Sequence, residues 1–261
     1  MLFSINNEYM AYMIGLMQSD GSLSEEDRNR GRIRIELNKN DNDILIKLYN
    51  FIESIGIHCG ISERTRNTQF KNDSKSMMLS VYNLEFRTFI SKYVPIGYKS
   101  YKVTFPDDLD TLNIRHYIRG FIDGDGSVGL KGDGSPFISL WSASENIMKS
   151  FEEYFFRLTG VHRTLNPTSR DNGYSLMYSN EEAQIIIREL YKDCNIYIDR
   201  KYMNALKALK WSRPEGKRKV KRQVWNEEQD RFILSHSVEE SVKYLGRTEK
   251  SIKARLFRIT H

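Results

Sequence analysis

Twice along this chain an apolar stretch runs into Asp-Gly-Ser: LMQSDGS at 16–22 and FIDGDGS at 121–127, with Asp20 and Asp125 lying 105 positions apart. Aligned on the aspartates, both copies read x-x-Gly-(Leu/Phe)-(Met/Ile)-x-(Ser/Gly)-Asp-Gly-Ser. An acidic residue and a glycine at a helix end are ordinary once. Repeated at this spacing with matched surroundings, they mark an internal duplication that holds one carboxylate at the same place in each copy.

The stretches after each copy support that. The first half opens with an apolar helix over about 8–18. RIRIELNKN at 32–40 alternates, Ile33, Ile35 and Leu37 against Arg32, Arg34, Glu36 and Asn38, which is the period of a half-buried strand. SEEDRNRG before it is a polar hairpin loop. Residues 42–56 carry apolar side chains at helical spacing and stop at Gly56. Strand-like runs follow near 61–67 and 76–82, then a short helix over about 84–91. The second half repeats the order. A helix covers about 114–123, a turn falls at KGDGS (131–135), a strand at 136–142 and a helix at 145–160. Strands are expected near 161–166 and 174–179, and helices near 181–191 and 200–210. Ile138 and Leu140 take the places of Ile35 and Leu37. The fold expected is α+β: two αββαββα units, 1–106 and 107–211, joined through the turn-rich 94–110.

Gly15 and Ser19 are four apart in the first copy, Gly120 and Gly124 in the second. Small residues at that spacing leave a groove on one helix face, so a second helix can approach closely. Packed along those grooves, the helices would set Asp20 and Asp125 side by side at their feet. Two carboxylates that close repel, and a divalent cation is the natural compensation. Shared Mg²⁺ suits in-line phosphodiester hydrolysis, because it lowers the pKa of the attacking water and stabilises the leaving oxygen. A calcium loop starting at Asp123 fails, because Val128 falls where Gly is required and Gly134 where Glu is required. Aspartates that merely end helices are the alternative, and the duplication argues against it.

MIGLMQSDG (13–21) and IRGFIDGDG (118–126) resemble the nine-residue signature of the LAGLIDADG homing endonucleases over its whole length. The resemblance covers roughly residues 8–211. It implies two pseudo-symmetric units forming β-saddles on DNA, with Asp20 and Asp125 as metal-binding catalytic carboxylates holding two or three Mg²⁺ ions. The preceding acidic position is Asp123 in the second copy and Gln18 in the first, a departure at a position read as structural. The resemblance further implies a basic residue near each unit's last helix, carried by Lys99 and Lys201. The polar strand faces would then read bases and phosphates: Arg28, Arg30, Arg32, Arg34, Glu36, Asn38, Arg64 and Arg66 in the first unit, and Lys131, Ser139, Trp141, Arg163, Asn166 and Arg170 in the second. Unlike halves on one chain imply a long asymmetric double-stranded DNA site and a monomer acting as a pseudo-dimer.

Charge is uneven. Residues 212–261 hold 13 Lys and Arg against 7 Asp and Glu, whereas the first 211 residues hold 27 of each. The basic linker 212–224 leads into 225–261, where helices are expected near 226–235, 238–245 and 249–259. Trp225, Ile233, Leu234, Val242, Leu245, Ile252 and Leu256 would close a small all-α core, with Thr248 capping the last helix. This segment resembles a Myb/SANT helix-turn-helix, whose final helix would offer Lys250, Lys253, Arg255 and Arg258 to a major groove. KRKVKR (217–222) would track phosphates.

No apolar run reaches the roughly 18 residues of a membrane span, and no export signal stands at the N-terminus, so a cytoplasmic or other non-exported compartment is expected. Cys59 and Cys194 sit in dissimilar contexts and are read as thiols. The expected function is Mg²⁺-dependent, site-specific DNA cleavage. A non-cleaving DNA-binding regulator or an RNA maturase on the same fold are the alternatives. An intein host is not expected, since no splicing blocks flank the motifs.

Overall fold

The computed structural model describes residues 3–24, 32–66, 74–97, 99–168, 173–216 and 225–260. The chain divides into two compact units, Met1–Arg213 and Pro214–His261. Arg28, Arg30, Arg170 and the KRKVKR run lie outside the described residues, as does the side chain of Arg66.

The larger unit is a duplicated α+β body. Its first half comprises α1 (Glu8–Ser19), β1 (Gly21–Leu23), β2 (Ile33–Asn38), a 3₁₀ turn at Lys39–Asp41, α2 (Asn42–Ser54), β3 (Cys59–Arg66), β4 (Ser74–Val81) and α3 (Leu84–Ile90). The second half comprises α4 (Ile114–Asp125), β5 (Gly126–Leu130), β6 (Pro136–Ser142), α5 (Glu145–Thr159), β7 (Tyr174–Ser179), α6 (Asn180–Tyr191) and α7 (Asp199–Leu209). Two antiparallel sheets result, ordered β1-β2-β4-β3 and β5-β6-β7. Along β6 every second residue is buried, from Pro136 to Ser142, and Ile33, Ile35 and Leu37 do the same in β2. Each sheet therefore has a covered face and an open one. Every residue of α1 from Met10 to Gln18 is buried, as befits a helix packed on all sides.

Two expectations for the larger unit fail. The first is the alignment of β2 with β6. Gly21 pairs with Ile35 and Leu23 with Ile33, while Gly126 pairs with Leu140 and Val128 with Ile138. Ile33 and Ile35 are thus the counterparts of Ile138 and Leu140, two residues from the expected match, and the spacing of 105 holds through both hairpins. A period-two pattern looks the same after a shift of two, so alternation could not fix the register.

The second failure is the strand near 161–166. The segment makes a single bridge, Pro167 to Tyr174. The ladder donors are used elsewhere: Val161 N donates to Thr159 Oγ1 at 3.2 Å, and Arg163 N to Glu152 Oε1 at 2.8 Å. Proline has no N–H to offer either.

The smaller unit holds α8 (Glu227–Ser235), α9 (Val238–Leu245) and α10 (Glu249–Thr260). Ile233 and Ile252 are its buried centre, with Trp225, Val242, Leu245 and Leu256 half-buried around them. Leu234, expected in that core, is 56% exposed because it stands beside Ile233 on the outward side of α8. Thr248 Oγ1 accepts from Ser251 N at 3.3 Å and caps α10 as expected. Among the described residues no helix is long and apolar enough to cross a membrane. Both cysteines are free, Cys59 buried and Cys194 half-buried.

Candidate active site

The helices α1 and α4 meet along their glycines. A methyl group on Gly15 would collide with Tyr117 O, and one on Gly120 would collide with Tyr12 O. Gly15 and Gly120 are 105 apart, and so are Tyr12 and Tyr117, so the two contacts are pseudo-symmetric copies. At the helix feet a methyl on Gly124 would run into the Ser19 side chain and stand 2.8 Å from Asp20 Oδ2. The Asp20 carboxylate therefore lies against the backbone one residue before Asp125.

Asp20 is the C-cap of α1 and Asp125 the last residue of α4. Both are exposed to solvent on one side and packed against protein on the others. That packing restricts their hydration and is the main reason both carboxyls titrate high, Asp20 at about 6. Repulsion from Asp125 lifts Asp20 further, while Lys99 and Lys201 pull both carboxyls back.

The two lysines are not surface groups. Lys201 is 5% exposed. Its ammonium donates to Ile122 O at 2.7 Å, Asp123 O at 2.6 Å and Gly126 O at 2.9 Å, closing the carbonyls at the end of α4. Lys99, half-buried, donates to Met17 O at 2.5 Å and Ser19 O at 2.7 Å at the matching end of α1. Burial lowers both ammonium values, Lys99 to about 8, with the aspartates opposing.

Gln18 and Asp123 sit inside the helix pair rather than at the surface. Gln18 Nε2 donates to Tyr93 O at 2.8 Å and Thr104 O at 3.0 Å, and Asp123 Oδ2 accepts from Ile198 N at 2.9 Å. The structural role expected for this position fits those contacts. Sequence reading missed a second tie between the halves. Glu8 accepts from the fully buried Arg119 at 3.2 Å and from Asn195 N at 2.7 Å.

Among the described residues no group of three or more His, Cys, Asp and Glu could hold a metal ion. The two aspartates nevertheless fit a magnesium-like cation. They are hard oxygen donors, they face solvent, and restricted hydration raises both carboxyls, with repulsion from Asp125 raising Asp20 further, an effect that a shared cation would relieve. Mg²⁺ usually keeps several waters and needs only one or two carboxylates.

The open sheet faces carry most of the expected contact residues, with some committed locally. Arg34 and Glu36 alternate with the buried side of β2. Glu36 accepts from Arg64 Nη1 at 3.1 Å and from Ser76 Oγ at 2.6 Å. Arg32 donates to Tyr82 OH at 3.3 Å, and Asn38 Oδ1 is taken by Asn40 N. Ser139 and Trp141 lie on the open side of β6, the indole pressed on Gly173. Lys131 reaches Ser179 Oγ at 2.6 Å, and Asn166 is exposed. Arg163 instead lies over the ring of Tyr178, a residue of the covered face, 4.9 Å from its centre. On α10, Lys250 and Arg258 are exposed, Lys253 pairs with Glu249, and Arg255 is bound in a fork by Asp230 at 2.8 and 2.5 Å.

An internally duplicated α+β protein, with halves joined along paired helices that each end in an aspartate, is what this geometry defines. The family described as LAGLIDADG-like domain matches residues 7–93 and again 113–193, and the chain belongs to that family. Among solved structures, the homing endonuclease I-WcaI bound to its DNA recognition sequence is similar in fold, with a TM-score of 0.55 at 8% identity over 77% of this chain and 88% of that one. Full-length DUF199/WhiA from Thermatoga maritima aligns over 99% of this chain and 92% of that one, at 12% identity and a TM-score of 0.49. No curated protein matches the sequence.

Proposed function

We propose that this protein is a site-specific DNA endonuclease that hydrolyses phosphodiester bonds with Mg²⁺ held by Asp20 and Asp125. The observation that carries the reading is the pair of solvent-facing carboxylates at the joined feet of α1 and α4, with Lys99 and Lys201 beside them. Bound Mg²⁺ would supply an activated water and stabilise the leaving oxygen. Asp20 and Asp125 must be ionised to serve as its ligands. Lys201 would hold the end of α4 in place, and Lys99 would do the same for α1 while keeping one ammonium hydrogen uncommitted among the described residues. The open faces of the two sheets would lie on double-stranded DNA, and their unlike residues would read an asymmetric site. One chain would supply both halves, 1–106 and 107–211. The segment 225–261, beyond the linker 212–224, would add a second DNA contact through α10, by Lys250 and Arg258 rather than Arg255.

Cleavage of a randomised duplex library in Mg²⁺, Ca²⁺ and EDTA tests this, beside Asp20→Asn and Asp125→Asn. Discrete Mg²⁺-dependent products absent from both variants are expected. Selective binding without cutting, equal in wild type and variants, would instead make the protein a DNA-binding regulator.

A further inference from the structure

A cavity of about 410 Å³ opens between β5 and α7. Its wall on the helix side carries Arg200, Asn204 and Lys207, which are four and three residues apart and so share one face of α7. Its opposite wall is Ser127, Gly129 and Phe137. Ser127 pairs with Ser139 and Gly129 with Phe137, and directly paired residues point to the same side of a sheet. Ser139 and Phe137 belong to the open face of β6, so the cavity lies at the β5 edge of that open face. α7 overhangs this edge closely enough that a methyl on Gly129 would stand 3.6 Å from Asn204 Cβ.

No acid lines the cavity. Three of its polar side chains, Ser127, Asn204 and Lys207, have no hydrogen bond or ion pair among the described residues. The other two polar side chains are engaged: Lys201 gives its ammonium hydrogens to the carbonyls of Ile122, Asp123 and Gly126, and Arg200 is fixed in place by Asp41 through Nε at 3.0 Å and Nη2 at 2.9 Å, which leaves Nη1 over. Uncommitted donors converging on a concave surface with one unpaired cation are complementary to an oxyanion. Ser127 follows Asp125 by two residues, roughly 7 Å along a strand, so an anion here would sit beside the candidate metal ligands.

Among the described residues the first half shows no such site. Ser24, the counterpart of Gly129, has its hydroxyl engaged with Arg32 N at 2.8 Å, and Lys99 stands on turns where the second half has α7.

We infer that this cavity binds one backbone phosphate of a DNA strand close to the phosphate cleaved on the Asp125 side, through Lys207, Asn204 and Ser127. The inference rests on the endonuclease reading and adds to it. The second half of the protein grips its DNA strand at a point where the first half does not.

The test uses the full chain and a duplex carrying the target site, in Ca²⁺ so that binding is read without turnover. Lys207→Gln should weaken binding about 3- to 10-fold at physiological salt and reduce the slope of log affinity against log salt by about 0.9. Asn204→Ala should weaken binding with the slope unchanged. Lys149→Gln should change neither, since Lys149 is an exposed residue of α5 on the covered side of the sheet. Single neutral methylphosphonates are then walked along the strand beside the cleaved bond. One position should weaken wild-type binding and have no effect on Lys207→Gln. Identical slopes for Lys207→Gln and Lys149→Gln, or a methylphosphonate penalty that persists in Lys207→Gln, would overturn the site while leaving the endonuclease standing. Absence of DNA binding by the wild type would sink both. A slope change seen with duplex RNA and not with DNA would reassign the phosphate to RNA. The side chains of Lys207 and Asn204 make no hydrogen bond or ion pair among the described residues, so their variants should melt like the wild type.

Discussion

Tyr12 and Asp123, 111 residues apart on α1 and α4, are joined by a hydrogen bond of 2.6 Å in the interior of the helix pair. Tyr117 and Gln18 make the reciprocal contact at 2.5 Å. Each tyrosine reaches across the pseudo-two-fold to the residue two places before the other helix's motif aspartate. The two bonds differ in charge, because one acceptor is a carboxylate and the other an amide.

That difference predicts unequal losses. Bonds to charged groups contribute about 1.5–3 kcal/mol and neutral ones about 1. Tyr12→Phe should lower the free energy of unfolding at about pH 8 by roughly 2–3 kcal/mol, and Tyr117→Phe by about 1. Denaturant unfolding of the two variants distinguishes them. Equal losses would mean that Asp123, whose carboxyl is raised by burial, is protonated in the folded protein.

Glycine at the crossing makes the second prediction. Gly15→Ala and Gly120→Ala each push a methyl into a backbone carbonyl of the partner helix. Backbone cannot give way as a side chain can, so each should lose about 3 kcal/mol. Gly132→Ala, with nothing within 4 Å of the new methyl, should melt like the wild type. An unaffected Gly120→Ala would mean the helices do not meet along these grooves.

Much of this site was legible because the duplication carries two readings of every position. The spacing of 105 that picked out Asp20 and Asp125 also relates Tyr12 to Tyr117, and looking for tyrosines at that spacing would have exposed the reciprocal clasp. Lys99 and Lys201 were placed by resemblance, but their bonding to helix-end carbonyls was not foreseeable, since it depends on how the chain returns past α3 and α6. Nor could the sequence show that Arg255 is bound by Asp230, or that Asp41 fixes Arg200. Those pairs join residues distant in the chain, and a charged side chain's partner leaves no periodic trace.

The raised value of Asp20 sets a pH window. Folded, it titrates at about 6, whereas an unperturbed aspartate titrates near 4. Between those values the folded chain binds the proton more readily than the unfolded one, so metal-free stability falls as pH rises through the window. Because Asp20 is open to water, the loss should be only about 1 kcal/mol. Mg²⁺ needs the ionised carboxylate, so its stabilising effect should appear over the same range. Melting curves at about pH 5 and about pH 8, with and without Mg²⁺, read both trends. Asp20→Asn should flatten them, and a wild-type Mg²⁺ response equal at the two pH values would contradict the assignment.

The lysines differ in how many ammonium hydrogens they have left. Lys201 gives all three to carbonyls at 2.6–2.9 Å, whereas Lys99 gives two. Lys201→Met would strand three carbonyls at the end of α4 in a buried place, and should lose about 2–4 kcal/mol of stability. Lys99→Met strands two in a half-buried one and should lose less. In cleavage the order should reverse. Lys99 has one ammonium hydrogen without a partner among the described residues, and Asp20 and Asp125 both act on its charge, so that hydrogen is available to a water or a phosphate oxygen beside them. Lys99→Met should therefore slow scission of one strand by about 10²-fold or more at saturating Mg²⁺, with a smaller drop in melting temperature than Lys201→Met. Strand-resolved cleavage, read beside melting curves, separates the two roles. If Lys201→Met melts like the wild type yet abolishes cutting, the three-carbonyl bonding does not hold the end of α4, and Lys201 acts on the substrate itself.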